Sequence, residues 1–210
     1  MKYGLLVIPL IALVGYFFFS APAPTTGQFV NQASFVGEPF KGAADAPVVI
    51  EAWEDPQCPF CQRFTTNTLP EIERVYIDTG KVKYVFRQFP IPNAHPWAIP
   101  AAVALECAYS QDEDAFWTLH DAYYQQQSLI NIHNLKQFSL DVLEGENVDV
   151  DAFATCLDNQ ESLGEVNQDI AEGIGKGVSG TPTFFVNGQK VVGAQPFSVF
   201  ASMIEAALRA

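Results

Sequence analysis

The sequence predicts an α/β fold in which a small sheet is interrupted by a helical insertion. Residues 47–89 have the pattern strand, helix, strand, and residues 177–208 have the pattern of a hairpin followed by a helix. Between these halves, about residues 93–176 carry apolar residues at the spacing of amphipathic helices. This order indicates one sheet built from two halves of the chain, with the helices inserted between them.

The first half is predicted to contain two strands and a helix. The stretch PVVIEAW at 47–53 is short, apolar and β-branched, which is typical of a buried strand. Apolar residues then follow one helical face to Gly80, a suitable helix terminator, with a kink expected at Pro70. The alternating stretch KVKYVFRQF at 81–89 predicts the second strand. The motif CPFC at 58–61 therefore lies at the first strand-to-helix junction.

The insertion and the second half follow in order. Predicted insertion helices are WAIPAAVALECAYS, EDAFWTLHDAYYQQQ, NLKQFSLDVL, DAFATCLDNQ and a segment over about 160–174. Two β runs at 180–192 are then joined by Asn187 and Gly188, the strongest short hairpin signal. The stretch FSVFASMIEAALRA at 197–210 predicts a closing amphipathic helix.

Composition limits the kinds of partner. The 210-residue chain is 49% hydrophobic, which suffices for a sizeable core, and its formal net charge is −13. This negative charge argues against nucleic-acid binding and against electrostatic attachment to anionic lipid headgroups.

The N-terminus differs from the rest of the chain. Residues 3–19 form an uncharged apolar run of 17, near the minimum length for a membrane span. We expect residues 1–20 to be a transmembrane anchor or a signal sequence, residues 21–33 a linker and residues 34–210 the domain; a buried core helix is the alternative for the first segment. An anchor would hold the domain outside the cytoplasm, in the periplasm or at the cell surface, and a cleaved signal would leave it secreted.

The two cysteines of CPFC have the positions of a redox couple. A thiolate at a helix N-terminus is stabilised by unpaired N–H groups and the helix dipole, so Cys58 is the expected attacking sulfur. Cys61 lies one turn inside the helix, within disulfide reach of Cys58. Pro59 suits the first helical turn, and Phe60 offers an apolar surface without positive charge.

A zinc site and a pair of structural or inert thiols are the alternatives for this motif. Zinc usually takes four ligands, but Cys107 and Cys156 stand alone, and His95, His120 and His133 have no ligand spacing. The motif lies between a strand and a helix in a chain that we expect to be exported. Both features favour a redox couple over a metal site.

Pro182 marks a second feature of the second half. It begins the run PTFFV, where a residue without an N–H is unfavourable in a central strand. A fixed turn with a cis Thr181–Pro182 bond would explain it, and a trans proline at a strand start is the alternative.

These motifs together resemble the thioredoxin superfamily. The insertion, with FRQFPIPNAHPWAIPAAVALECA and FWTLHDAYY, is similar to the DsbA-like thiol–disulfide oxidoreductases and their membrane-anchored BdbD-like members, over about residues 35–208. The resemblance implies a thioredoxin fold in which Cys58 forms a mixed disulfide with substrate and Cys61 resolves it. It also implies that Pro182 is cis and that, with Thr181, it shapes a peptide-binding groove.

The chain departs from the family pattern at three positions. Phe60 stands where typical oxidases have His, and Thr181 stands where the strongest oxidases have Val. Ala52 occupies the usual place of a buried acidic residue. Carboxylates near this place are Glu51, Glu54 and Asp55, and Glu51 is the proton relay that we consider.

Cys107 and Cys156 both lie in predicted insertion helices, 49 residues apart. A structural disulfide, a second redox couple and two buried free thiols are the alternatives. Some DsbA-like proteins carry a similar disulfide in the insertion.

The sequence thus predicts an extracytoplasmic thiol–disulfide oxidoreductase that introduces disulfides into exported proteins through Cys58 and Cys61. The sulfurs carry the electrons, so we expect no organic cofactor, but a membrane or small-molecule partner must recharge the pair. A reductase or isomerase of the same fold and a redox-inactive binding or folding-assistance module are the alternatives. We expect a monomer.

Overall fold

The structure is a computed structural model that describes Met1 and residues 37–210. Apart from Met1, the predicted anchor or signal sequence at 1–20 and the linker at 21–33 lie outside the described residues. Within the described part, no helix has both the length and the hydropathy that a membrane span requires.

One mixed sheet of five strands lies in the described region, in the order β1-β3-β2-β4-β5. The strands are β1 (Phe40–Lys41), β2 (Val48–Glu54), β3 (Val82–Gln88), β4 (Thr183–Val186) and β5 (Gln189–Val192). Central strand β2 runs parallel to β3 and antiparallel to β4, which joins the two halves of the chain. The short edge strand β1 was not predicted, because two residues leave no periodic signal.

Eight α-helices lie in residues 37–210. They are α1 (Pro59–Asn67), α2 (Leu69–Ile72), α3 (Ala98–Tyr109), α4 (Glu113–Gln125), α5 (Leu135–Leu143), α6 (Val150–Asn159), α7 (Leu163–Gly175) and α8 (Phe197–Ala207). Helices α3 to α7 form the insertion, so the predicted α/β fold with a helical insertion is confirmed. The helix predicted after CPFC is broken near Pro70, and a π-helical turn over Glu73–Ile77 continues it.

Strand β2 is packed on both faces by different layers. Ile50 and Ala52 face the core that contains Phe64 of α1. Trp53 points to the other face, where its indole packs edge-to-face on Phe185 and donates a hydrogen bond to a backbone carbonyl of α7. The end of β2, where the reactive motif begins, is therefore held rigidly from both sides.

A disulfide joins Cys107 of α3 to Cys156 of α6, with an S–S distance of 1.96 Å. The bond excludes two free thiols in this structure, whereas a structural disulfide and a second redox couple both contain it. Because the bond closes a separation of 49 residues, loop entropy gives it a stabilising contribution of about 4 kcal/mol.

Candidate active site

The CPFC motif begins directly after the loop that follows β2. Cys58 is the N-cap residue of α1, with extended backbone angles, and Pro59 occupies the first helical position. The N–H of Cys58 donates to the carbonyl of Asp55, and the carbonyl of Cys58 accepts the first helical hydrogen bond from Gln62, both at 3.0 Å. The Cys58 sulfur thus lies where unpaired N–H groups of the first turn are directed.

The cis-proline loop lies against this sulfur. The Thr181–Pro182 peptide bond is cis, as the sequence and the family resemblance suggest. The Cys58 thiol donates to the Thr181 carbonyl at 3.4 Å, and the buried Thr181 hydroxyl makes no hydrogen bond of its own. Both Cys58 and Cys61 are free thiols here, so the structure describes the dithiol form.

The two sulfurs have opposite electrostatic environments. The pKa of Cys58 is lowered to about 6, chiefly by the interaction with the Cys61 thiol, whereas burial acts in the opposite direction. The Thr181 hydroxyl, which lies outside hydrogen-bonding geometry, and the amides of Phe60 and Cys61 lower this pKa further. The pKa of Cys61 is raised, first by its complete burial and then by Cys58 and Glu54. Near neutral pH, Cys58 is therefore a thiolate and Cys61 a thiol.

Glu54, the last residue of β2, is the acidic group beneath the sulfurs. Its side chain is fully buried, and burial raises its pKa to about 7. The Tyr84 hydroxyl donates a short hydrogen bond to one carboxylate oxygen, and the Thr65 hydroxyl donates to the other at 3.4 Å. The Tyr124 hydroxyl also lowers the pKa of Glu54 but lies outside hydrogen-bonding geometry. Glu54 can therefore exchange a proton with Cys61 near neutral pH.

The structure does not bring Glu51 to the sulfurs, so our choice of relay is corrected. Side chains alternate along a strand, which places Glu51 on the face of β2 opposite to Glu54. There its carboxylate accepts a hydrogen bond from Lys176 at 2.7 Å. The alternation in PVVIEAWE would have indicated Glu54, because it shares the face of the buried Ile50.

Asp55 organises the loop between β2 and α1. Its carboxylate accepts hydrogen bonds at 2.7 Å from the N–H of Gln57, from the N–H of Ile91 and from Nδ1 of His95. These contacts fix the loop that leads into Cys58.

Glutamine side chains connect the motif to the insertion. The amide of Gln127, just after α4, donates to the carbonyl of Pro56 at 2.9 Å and to that of Cys58 at 3.2 Å. The amide of Gln62 donates to the carbonyl of Tyr124 at 2.8 Å. Sequence reasoning missed these contacts, because an amide side chain that bonds a backbone group 69 residues away leaves no local pattern.

An exposed aromatic ring lies between the two cysteines in the sequence. Phe60 is 53% exposed, and the Arg63 guanidinium lies 5.1 Å from the centre of its ring. Among the described residues, no group of three His, Cys, Asp or Glu side chains is arranged to hold a metal ion.

Comparisons with known proteins agree with this geometry. Residues 34–206 match the family described as Thioredoxin. Probable disulfide bond formation protein D of Bacillus anthracis is 31% identical over 150 residues, which cover 70% of this chain and 68% of that protein. The crystal structure of oxidised BdbD from Bacillus subtilis has the same fold, with a TM-score of 0.76 and 24% identity over 82% of this chain and 94% of that chain.

A further relative is much longer than this chain. Na(+)/H(+) antiporter NhaA 3 of Salinispora tropica is 33% identical over 161 residues, which cover 77% of this chain but 23% of the antiporter. The chain therefore spans about a quarter of the length of this curated relative. The family match and the Bacillus protein together establish that the chain belongs to the thioredoxin family and is related to the disulfide bond formation protein D of Bacillus.

Proposed function

We propose that this protein oxidises thiols of exported client proteins, using the Cys58–Cys61 pair as the disulfide donor. The observation that carries the proposal is the difference between the two sulfurs. Cys58 lies at a helix N-terminus beside Thr181 with a lowered pKa, whereas Cys61 is buried above Glu54 with a raised pKa. This asymmetry gives one sulfur the attacking and leaving role and the other the resolving role.

In the first step, a client thiolate attacks the Cys58 sulfur of the oxidised pair. The Cys58–Cys61 bond breaks, a mixed disulfide forms at Cys58, and Cys61 leaves as a thiolate. Because a buried thiolate is costly, Cys61 takes the proton of Glu54. The sulfur of Cys61 is then a neutral thiol, as in the structure described.

In the second step, another client thiolate attacks the client sulfur of the mixed disulfide. The client leaves with a disulfide, and Cys58 leaves as a thiolate that its surroundings stabilise. The two electrons lost by the client thiols now reside on Cys58 and Cys61. A membrane or small-molecule oxidant must accept them before the next cycle.

The direction of transfer depends on how far the dithiol form is stabilised. A thiolate with a pKa of about 6 stabilises the reduced protein, which makes the pair more oxidising than a pair with an unperturbed thiol. This pKa lies between the values of about 7 for thioredoxin and about 3.5 for DsbA, and Phe60 replaces the histidine typical of strong oxidases. A reductase or isomerase is therefore the second candidate function, and the reduction potential decides between the two.

The location belongs to the same proposal. Residues 1–20 are proposed as a membrane anchor or signal sequence, residues 21–33 as a linker and residues 34–210 as the functional domain outside the cytoplasm. The apolar run at 3–19 and the disulfide of the insertion support this arrangement, because disulfides persist in oxidising compartments. We propose that the protein acts as a monomer.

Equilibration of the full chain against glutathione buffers tests the direction. A reduction potential near or above about −150 mV supports the oxidase, and a value near or below about −230 mV identifies a reductant. A peptide-oxidation assay of the double variant Cys58→Ser, Cys61→Ser separates the oxidase and the reductase from a redox-inactive binding module. Loss of activity in that variant supports the enzyme, whereas unchanged function would refute it.

A further inference from the structure

Glu54 must exchange its proton with water while the front of the site is covered. When Cys58 carries a mixed disulfide, the client covers the surface from which this sulfur is accessible. The buried neighbours of Glu54 block other directions, since Tyr84, Tyr124 and Cys61 are all 0% exposed. A proton taken up or released during turnover therefore needs a route away from the client.

Thr65 offers such a route. It lies on α1 one turn beyond Cys61, and its hydroxyl donates to Oε2 of Glu54 at 3.4 Å. Thr65 also lines a cleft of about 200 Å³ at the surface between α1, α2 and α4. Thr65 thus contacts the buried carboxylate through its hydroxyl and also forms part of the wall of the cleft.

The cleft is polar and large enough for several water molecules. Residues that share its lining with Thr65 are Lys41, Thr66, Leu69, Pro70, Glu73, Asp121 and Gln125. Lys41 forms an ion pair with Glu73 at 2.6 Å and lies 4.0 Å from Asp121. Asp121 also accepts a hydrogen bond from Nδ1 of the buried His120 at 2.8 Å. Charged side chains thus line the cleft and offer hydrogen-bonding partners to water.

We propose that this cleft is the proton exit of the active site and that the Thr65 hydroxyl relays protons between Glu54 and water in the cleft. The proposal rests on the proposed function, because it concerns the proton that Glu54 exchanges with Cys61. Thr65 is a positioning residue in this scheme, since it acts through Glu54 and does not touch the sulfurs.

The relay is best followed when an external disulfide oxidises the pair. The Cys58 thiolate attacks the aromatic disulfide 5,5′-dithiobis(2-nitrobenzoate), which forms a mixed disulfide and releases one coloured thiolate. Cys61 then gives its proton to Glu54 and attacks the Cys58 sulfur, which closes the pair and releases a second coloured thiolate. Two electrons pass to the reagent, and the proton leaves Glu54 through Thr65.

Stopped-flow measurement of the two colour phases, together with a pH indicator in weak buffer, tests the relay above pH 7, where Glu54 starts ionised. Glu54 can then accept the proton of Cys61 at once, so the proton leaves through Thr65 after the second thiolate. We expect Thr65→Val to leave both colour phases unchanged and to slow the appearance of the proton in solution by about tenfold to hundredfold. Thr65→Ser should restore the rate of proton release, because it keeps the hydroxyl. Thr66→Val is the matched control, since that hydroxyl bonds the carbonyl of Gln62 and not Glu54.

The outcomes separate the relay from a structural role and from the proposed function. A role of Thr65 limited to packing or to the pKa of Glu54 would change the second colour phase while proton release kept pace with it, and this would overturn the proposal. Proton release that keeps pace with an unchanged second phase in Thr65→Val would overturn it as well. If the wild-type chain released no second thiolate, the proposed redox function itself would fail.

Discussion

Replacing Glu54 with glutamine should change the pH dependence of stability in a defined way. The carboxyl group is fully buried, and burial raises its pKa from the ordinary 4.5 to about 7. Glutamine has nearly the same shape and can still accept the hydrogen bond from Tyr84, but it does not ionise. The substitution therefore removes the titration while keeping most of the packing.

The magnitude follows from the two pKa values. Between pH 4.5 and about 7, Glu54 stays protonated in the folded protein but ionises in the unfolded chain. The folded state then binds more protons, so the free energy of unfolding falls as pH rises. Each tenfold change in the dissociation constant corresponds to about 1.4 kcal/mol, which gives a loss of about 3 kcal/mol that is complete above pH 7. The Glu54→Gln protein should not show this loss.

Urea unfolding of the reduced protein at about pH 4 and about pH 8 measures the effect. From about pH 4 to about pH 8, the unfolding free energy of Glu54→Gln relative to that of wild type should increase by about 3 kcal/mol. Glu51→Gln is the matched control, because Glu51 is partly exposed and paired with Lys176, and its difference should change by less than about 1 kcal/mol. A flat difference for Glu54→Gln would show that the buried carboxyl ionises normally, and the relay would lose its basis.

Three further predictions concern the sulfurs and the packing. Thiolate absorbance of the reduced protein should titrate with a midpoint near pH 6, from Cys58, and a midpoint near its ordinary value would contradict the site described. Replacing both cysteines of the insertion disulfide with alanine should lower the free energy of unfolding by about 4 kcal/mol in denaturant titrations without moving that midpoint. Gly173→Ala should destabilise by about 1–3 kcal/mol, because its Cβ would lie 2.7 Å from the Trp53 indole, whereas Gly164→Ala on the same helix meets nothing within 4 Å and should be neutral or slightly stabilising in thermal unfolding.

The fold was predictable where the sequence pattern is local. The strand before CPFC, the alternating strand after it and the hairpin at Asn187–Gly188 all carry their own periodicity or turn residues, and the structure contains each of them. Strand β1 was not predicted, because Phe40 and Lys41 are ordered by pairing with β3 and not by their own sequence. The break near Pro70 was predictable, since proline cannot donate the helical hydrogen bond.

The site was predictable only in part, because its electrostatics depend on packing between distant segments. The positions of Cys58 and Cys61 follow from the motif, and the cis bond before Pro182 was an open alternative that the family resemblance favoured. Counting back from the motif reaches Ala52, which left the acidic group open among Glu51, Glu54 and Asp55. Strand alternation places Glu54 two residues later on the same face as Ala52. This shared face predicts the position of the acidic group better than the count from the motif does.

The helical insertion does more than cover one face of the sheet. Tyr124 of α4 packs in one buried cluster with Cys58 and Cys61, and its hydroxyl lies near Glu54. Since desolvation is the largest cause of the raised pKa values of both Glu54 and Cys61, the insertion helps to set the proton affinities of the site. The same packing makes an open route to water necessary, and the cleft beside Thr65 lies on the boundary where α4 meets α1. Substitutions on the insertion side of that boundary should therefore change the chemistry of the sulfurs without touching them.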